Sequence, residues 1–267
     1  MKTIISVLVF ILTINSSSIF AQQTLMDGQL IAKKTHERNE GISLKRNLIM
    51  ELKDKRGKIR TRKTTALRKY FGKEKRLAIF YETPSSVKGT AFLTFDYPEA
   101  SKDDDQWLYL PALRKTRRIS AANRGDYFLG TDLTYEDIKL ETKISKEDYN
   151  YTTIGIEKID NHDCYIIEAI PKNDATKKEL GYSKVKFWVD SKLWMMRKSE
   201  SWDVAGNFLK TVKISDIKKV QNIWTISHIL VINHKTKHET IFKFENNDYQ
   251  TELSDDYFTE EALVNGL

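Results

Sequence analysis

Cysteine is almost missing from this chain: Cys164 is the only one in 267 residues. A lone thiol excludes an internal disulfide, so a hydrophobic core has to hold the fold in place of covalent staples. Its position deep in the chain argues against a lipid anchor, which would need a cysteine at a processed N-terminus. Proline and glycine are sparse, at four and eleven, and no Ser-rich or Pro-rich stretch or fixed-period repeat appears. Nothing therefore reads as a linker between independent domains. Beyond residue 21 no apolar run is long enough for a spanning helix. Enzyme signatures are also lacking. There is no Gly-x-Ser-x-Gly elbow, and Asp103-Asp104-Asp105 lacks the glycine and distant glutamate of a calcium loop.

What is present begins with an address. Lys2 gives a positive start, residues 4–14 form an almost unbroken apolar run, and residues 16–21 offer small residues ending in Ala21. That order is a secretory signal peptide. The expectation is a cleaved signal over 1–21 and a single soluble domain over 22–267.

From residue 43 the hydrophobic period is two. Leu44, Leu48, Met50 and Leu52 alternate with Lys45, Asn47 and Glu51, the mark of a strand with one buried face. After a turn at 55–58, similar segments recur at 59–70, 76–83, 90–97, 106–110 and 115–120, then between 151 and 244. About a dozen strands in hairpin-like succession predict a mainly β protein with a curved antiparallel sheet, since so many strands cannot stay flat. Helical pattern is confined to 24–37, where Thr24 is the expected cap, to 132–139, and to 255–263. These helices are expected to cover the open side of the sheet.

Charge is uneven. Between residues 53 and 76 stand twelve lysines and arginines against Asp54 and Glu74. Two readings fit: a solvated edge hairpin whose charges block edge-to-edge pairing, and a basic face for transient contact with anionic membrane headgroups. A nucleic-acid surface fits poorly, because no aromatic residue interleaves with the bases before Tyr70 and Phe71.

Among candidate catalytic groups, His162 stands two residues from Cys164, but the surrounding Tyr165-Ile166-Ile167 reads as core. His228, His234 and His238 could converge at a hairpin around Lys235-Thr236-Lys237. Zinc requires three or four ligands in fixed geometry, and no fourth ligand or spacing motif accompanies them. No catalytic residue, metal or cofactor is expected, and a metal-dependent enzyme is the weakest of the functional readings.

One series is distinctive. Pro84-Ser85-Ser86-Val87-Lys88-Gly89-Thr90-Ala91 leads to Trp107-Leu108-Tyr109-Leu110-Pro111-Ala112-Leu113-Arg114 and to Arg117-Arg118-Ile119. It ends in Asp126-Tyr127-Phe128-Leu129-Gly130-Thr131-Asp132-Leu133-Thr134-Tyr135-Glu136-Asp137. The series resembles the LolA-like family of outer-membrane lipoprotein-sorting proteins, and Asp256-Tyr257-Phe258 falls at a matching place. Tyr127 stands where a serine is common and Leu129 where a methionine is. The resemblance implies a periplasmic, unclosed half-barrel with helices as a lid over an apolar concavity that accepts acyl chains. It also implies a carrier moving a lipid or acylated lipoprotein between membranes, toward the outer membrane. The alternative is a sensor or adaptor subunit that binds acylated cargo for an inner-membrane transporter of the RND type.

The apolar strand faces supply the expected cavity lining: Leu48, Met50, Ile79, Tyr81, Leu93, Phe95, Leu108, Leu110, Phe187 and Met195. On the strand at 106–110, Trp107 and Tyr109 share one face and Leu108 and Leu110 the other, so one pair lines the cavity and the other packs under a helix. Asp132 and Asp137 are expected to pair with Arg114, Arg117 and Arg118, pinning the short helix across the sheet. The segments 24–37 and 132–139 are the expected lid.

Overall fold

The computed structural model describes residues 25–99 and 102–267. The expected signal peptide and the Thr24 cap lie outside the described residues. Among these residues thirteen strands follow one another along the chain. They are β1 (Ser43–Lys53), β2 (Ile59–Phe71), β3 (Glu74–Thr83), β4 (Ala91–Asp96), β5 (Asp105–Leu110) and β6 (Lys115–Arg118). After a crossing segment come β7 (Tyr149–Ile159), β8 (His162–Pro171), β9 (Tyr182–Asp190), β10 (Met196–Asp203), β11 (Phe208–Val220), β12 (Ile223–Asn233) and β13 (His238–Asp248).

All thirteen form one antiparallel sheet in the order β6-β5-β4-β3-β2-β1-β13-β12-β11-β10-β9-β8-β7. Two meanders of sequence neighbours therefore meet at one seam, where Leu48 faces Phe244 and Met50 faces Phe242. The two edges, β6 and β7, do not pair, so the sheet is a half-barrel and not a closed barrel. Residues 119–148 connect those edges by crossing the concave face, and we call them the strap.

β1 buries alternate residues, with Leu48, Met50 and Leu52 inward. Strands β2 to β5 are buried on both faces. Ala66, Leu77, Ile79, Phe92 and Leu108 face the concave core. Leu67, Ala78, Phe80, Ala91 and Leu93 face the convex side, where they meet Leu253, Phe258, Ala262 and Leu263. That cover is the C-terminal segment, a turn at Asp255–Phe258 followed by helix α4 (Glu260–Asn265). One of the expected helices thus covers the convex face instead of the open side.

Helix α1 (Gly28–His36) starts at Asp27, whose carboxylate accepts from the Leu30 amide at 2.9 Å. It packs Ile31 and Ala32 against Tyr149, Tyr151 and Ile167. Gly28 makes this docking possible, since a Cβ there would lie 2.8 Å from the Tyr151 carbonyl carbon. Helix α3 (Asp174–Leu180), not expected from sequence, is capped by Asn173 and ended by Gly181 in the left-handed region.

Candidate functional site

The strap carries α2 (Tyr135–Leu140), and its distinctive sequence explains its local shape. Thr134 and Asp137 form a capping box: the Thr134 hydroxyl accepts from the Asp137 amide at 3.1 Å, and the Asp137 carboxylate accepts from the Thr134 amide at 2.9 Å. Phe128, fully buried, packs edge-on against Phe92 and Tyr135 with centroids 5.0 and 5.4 Å apart. With Leu133 and Ile138, these side chains fill the concavity from above.

Polar contacts latch the strap to the sheet. The Lys210 ammonium, on β11 and almost fully buried, donates to the Asp132 carbonyl at 3.0 Å and the Asp137 carboxylate at 2.7 Å. The Tyr182 hydroxyl also donates to Asp137, at 3.0 Å. Burial alone would push the Asp137 carboxyl up, but Lys210 and these donors hold it below the usual carboxylate range. Asp132 accepts from the Thr240 hydroxyl at 2.6 Å and lies 2.7 Å from His238 Nδ1. Asn233 donates to the Tyr127 hydroxyl, and Arg62 to the Leu129 carbonyl. Just beyond α2, Glu141 pairs with Arg46 at 2.6 Å and Arg68 at 3.2 Å.

These partners correct the expected ion pairs. Asp132 and Asp137 do pin the strap, but to His238, Thr240 and Lys210. Arg118 pairs with Asp105 on the neighbouring strand, and Arg114 and Arg117 are exposed. The β5–β6 hairpin turns these arginines outward, whereas β11 runs beneath α2. The one legible sign of this anchor is a lysine within the apolar stretch Leu209 to Val212.

Of the expected lining, Leu48, Met50, Ile79, Tyr81, Leu108 and Met195 are buried in the cluster under the strap, with Leu110 and Phe187 at its margin. Leu93 and Phe95 lie elsewhere. They are on the convex face with Trp107 and Tyr109, under α4. The register dictates this, because Phe92 faces Ile79 on the concave side and the next residue must point the other way. The three histidines do not converge: His228 contacts Ser215, His234 contacts Thr211, and His238 contacts Asp132. Cys164 is buried, and its thiol is pushed up to about 11 by that burial.

Among the described residues, small apolar cavities of about 50 and 60 Å³ lie on either side of α2. Leu133, Asp137, Glu141 and Ile229 line both, so the strap is the partition between them. Between the segment before β1, the β2–β3 and β4–β5 turns and the strap lies a much larger polar cleft of about 880 Å³, bordered by Arg38, Glu40, Gln106, Arg124, Glu136 and Lys143.

A family model described as that of an uncharacterized protein matches residues 72–265. No curated protein matches the chain. Among solved structures, a DUF1329 family protein from Desulfovibrio piger is 30% identical with a TM-score of 0.80, over 88% of this chain and 97% of that one. A structure described as an outer membrane lipoprotein-sorting protein domain, from Vibrio parahaemolyticus, is 29% identical with a TM-score of 0.79, over 89% and 98%. A LolA superfamily protein from Nitrosomonas europaea shares the fold, with a TM-score of 0.66 at 21% identity over 89% and 99%. The half-barrel and these likenesses agree: the fold is that of the LolA superfamily protein, and the chain belongs to the DUF1329 family.

Proposed function

We propose that this protein is a periplasmic carrier, exported by cleavage of a signal peptide at 1–21 and folded as one unit over 22–267. It takes the acyl chains of a lipid or lipoprotein into the concavity beneath the strap and moves them between membranes, toward the outer membrane. The observation that carries this reading is the strap itself, an apolar plug seated in an apolar trough and held by polar latches. The described names of the Vibrio and Nitrosomonas relatives support it.

Magnitudes support an exchange of plug for cargo. Lifting Phe128, Leu133, Tyr135 and Ile138 out of the core costs roughly 1.5–3 kcal/mol each. An acyl chain with about fourteen buried methylenes contributes on the order of 11 kcal/mol. Cargo and strap are therefore near balance, and a carrier needs that balance in order to load and unload without a cofactor. Cavities of about 50 and 60 Å³ hold no chain as they stand, so loading requires the strap to swing aside and join them.

The expected basic hairpin narrows to its tip. Lys53, Arg68, Lys69, Lys75 and Arg76 are engaged by Glu239, Glu40, Asp255, Asp96 and Glu74. Lys55, Arg56, Lys58 and Arg60 remain exposed around Ile59, itself 57% exposed. This tip is the proposed point of transient membrane contact. Native mass spectrometry of protein purified from its own compartment should show co-purifying lipid or acylated protein. Ligand-free spectra, together with no uptake from vesicles, would sink the carrier reading.

A further inference from the structure

The polar cleft is flanked by two charge clusters of opposite net sign, and Arg46, Arg68 and Glu141 of the basic one stand behind its wall, toward the apolar cavity. At one end Arg38, Arg68 and Lys143 converge on Glu40 at 3.7, 3.4 and 3.1 Å, while Arg46 and Arg68 hold Glu141. Four bases there meet two carboxylates. At the other end Arg124 alone serves Asp148 at 2.9 Å, Glu179 at 3.0 Å and Glu136 at 3.8 Å. Lys139 is shared among Glu136, Asp104 and Asp96, and Asp96 also takes Lys75. Three bases there meet five carboxylates.

Each end also has hydrogen-bonding capacity to spare. Arg38 Nε and Arg68 Nε are buried donors without a partner at the basic end. At the acidic end Gln106 Oε1 is a buried acceptor without one, the Glu136 carboxylate, 2.9 Å from Lys139, forms no well-aligned hydrogen bond, and Arg124 Nε is the single unpartnered donor among these acceptors. Unmet buried groups of this kind cost free energy unless a ligand or water satisfies them. The charges themselves show the same imbalance. Burial, with neighbouring Lys75 and Arg38, keeps Lys143 below the ordinary lysine range. Burial, aided by Asp148, pushes the Glu136 carboxyl up.

Position completes the case. Both ends meet the apolar interior, since Arg38 and Glu40 line both the cleft and one cavity beneath the strap, and Lys143, Glu136 and Asp148 line both the cleft and the other. A diacyl phospholipid likewise carries its phosphate and its headgroup amine beside its chains. We propose that the cleft is a headgroup site for a zwitterionic phosphoamine, with the phosphate at Arg38 and Lys143 and a primary ammonium among Glu136, Asp148 and Gln106. Spare acceptors at the acidic end select N–H donors, so a primary ammonium is preferred to a quaternary one. The excess carboxylates disfavour an anionic or uncharged polyol headgroup. This inference rests on the carrier reading for the chains only.

The test uses the mature chain and vesicles of dioleoyl lipids with equal shares of ethanolamine, choline and glycerol headgroups, so that only the headgroup varies. Captured lipid is counted by native mass spectrometry. The ethanolamine lipid should exceed the glycerol lipid at least tenfold and the choline lipid severalfold, and Glu136→Gln with Glu179→Gln should erase most of that preference. A second arm titrates the chain-free compound glycerophosphoethanolamine and follows the Gln106 and Arg124 side-chain signals by NMR, with glycerol 3-phosphate as control. Capture of all three lipids in vesicle proportion, with no response to glycerophosphoethanolamine, overturns the headgroup site and leaves the carrier standing. A specific response to the chain-free compound with no lipid captured supports the site and overturns the carrier. Silence in both arms overturns both.

Discussion

Replacing Asp137 with asparagine removes the carboxylate paired with the buried Lys210 ammonium. The loss is asymmetric, because the charge left behind keeps the Asp132 carbonyl, at 3.0 Å, and the face of the Tyr182 ring, but no counter-charge. Breaking one side of a buried pair costs about 3–5 kcal/mol. Lys210 has 2% of its side chain exposed and Asp137 has 27%, so water can partly relieve the variant and the lower end, about 3 kcal/mol, applies. For a domain of this size that is a fall in Tm of about 6–12 °C. Urea unfolding followed by tryptophan fluorescence measures the cost, and Lys210→Met supplies the control. With the ammonium gone, Asp137→Asn should cost less than about 1 kcal/mol. The loosening should also be local. Amide exchange at Phe128, Thr131 and Ile138, which donate to strap carbonyls, should accelerate more than exchange in β1 or β13. Equal costs in the two backgrounds, or strap exchange that stays level with the sheet, would refute Lys210 as the latch.

The two strand faces can be separated functionally. Leu108→Ala and Leu93→Ala should each destabilise by about 2–5 kcal/mol, but only the former should change lipid uptake; an equal effect on uptake would overturn the face assignment. Changing Lys55, Arg56, Lys58 and Arg60 to glutamine should weaken binding to anionic vesicles by about 1 kcal/mol per charge, leave urea stability unchanged, and flatten the salt dependence seen in cosedimentation. Glu40 governs the acid limb. Burial pushes its carboxyl up, yet Arg68, Lys75, Lys143 and Arg38 prevail and hold it well below the usual range. The folded state thus resists a proton that the unfolded state accepts near pH 4.3. The contribution is complete above that pH and drains away as pH falls toward the folded value. Glu40→Gln should therefore lower stability at pH 7 and flatten its decline below about pH 4.3, read from urea midpoints across pH; an unchanged slope would remove Glu40 from this role.

The strands were legible because a half-buried strand writes its geometry into every second residue, as Leu48, Met50 and Leu52 do in β1. Where a strand is covered on both sides that code fades. Hydrophobicity alone could not tell Phe92 from Leu93, and only the C-terminal segment, more than a hundred residues away, decides which is which. The latch was half legible. The strap motif exposed Asp132 and Asp137 as anchors, but sequence proximity favoured Arg114, Arg117 and Arg118, while topology supplied Lys210, 73 residues beyond Asp137. Helix α3 escaped notice because Asp174-Ala175-Thr176-Lys177-Lys178-Glu179-Leu180 has no apolar stripe, only caps. The two clusters of the cleft are equally dispersed, with Arg38 drawn from the segment before β1 and Lys143 from the strap.

The seam between β1 and β13 also sets an order of events during folding. Every other pairing in the sheet joins strands adjacent along the chain, so both meanders can zip locally, whereas Lys53 and Glu239 at the seam are 186 residues apart. Closure across such a loop is entropically costly and slow. Until it occurs β1 presents an open, partly apolar edge, which is the kind of surface on which unfinished chains aggregate. Lys45, Arg46 and Lys53 on that strand, and the bases of the adjoining tip, repel a second copy of the same edge throughout the wait.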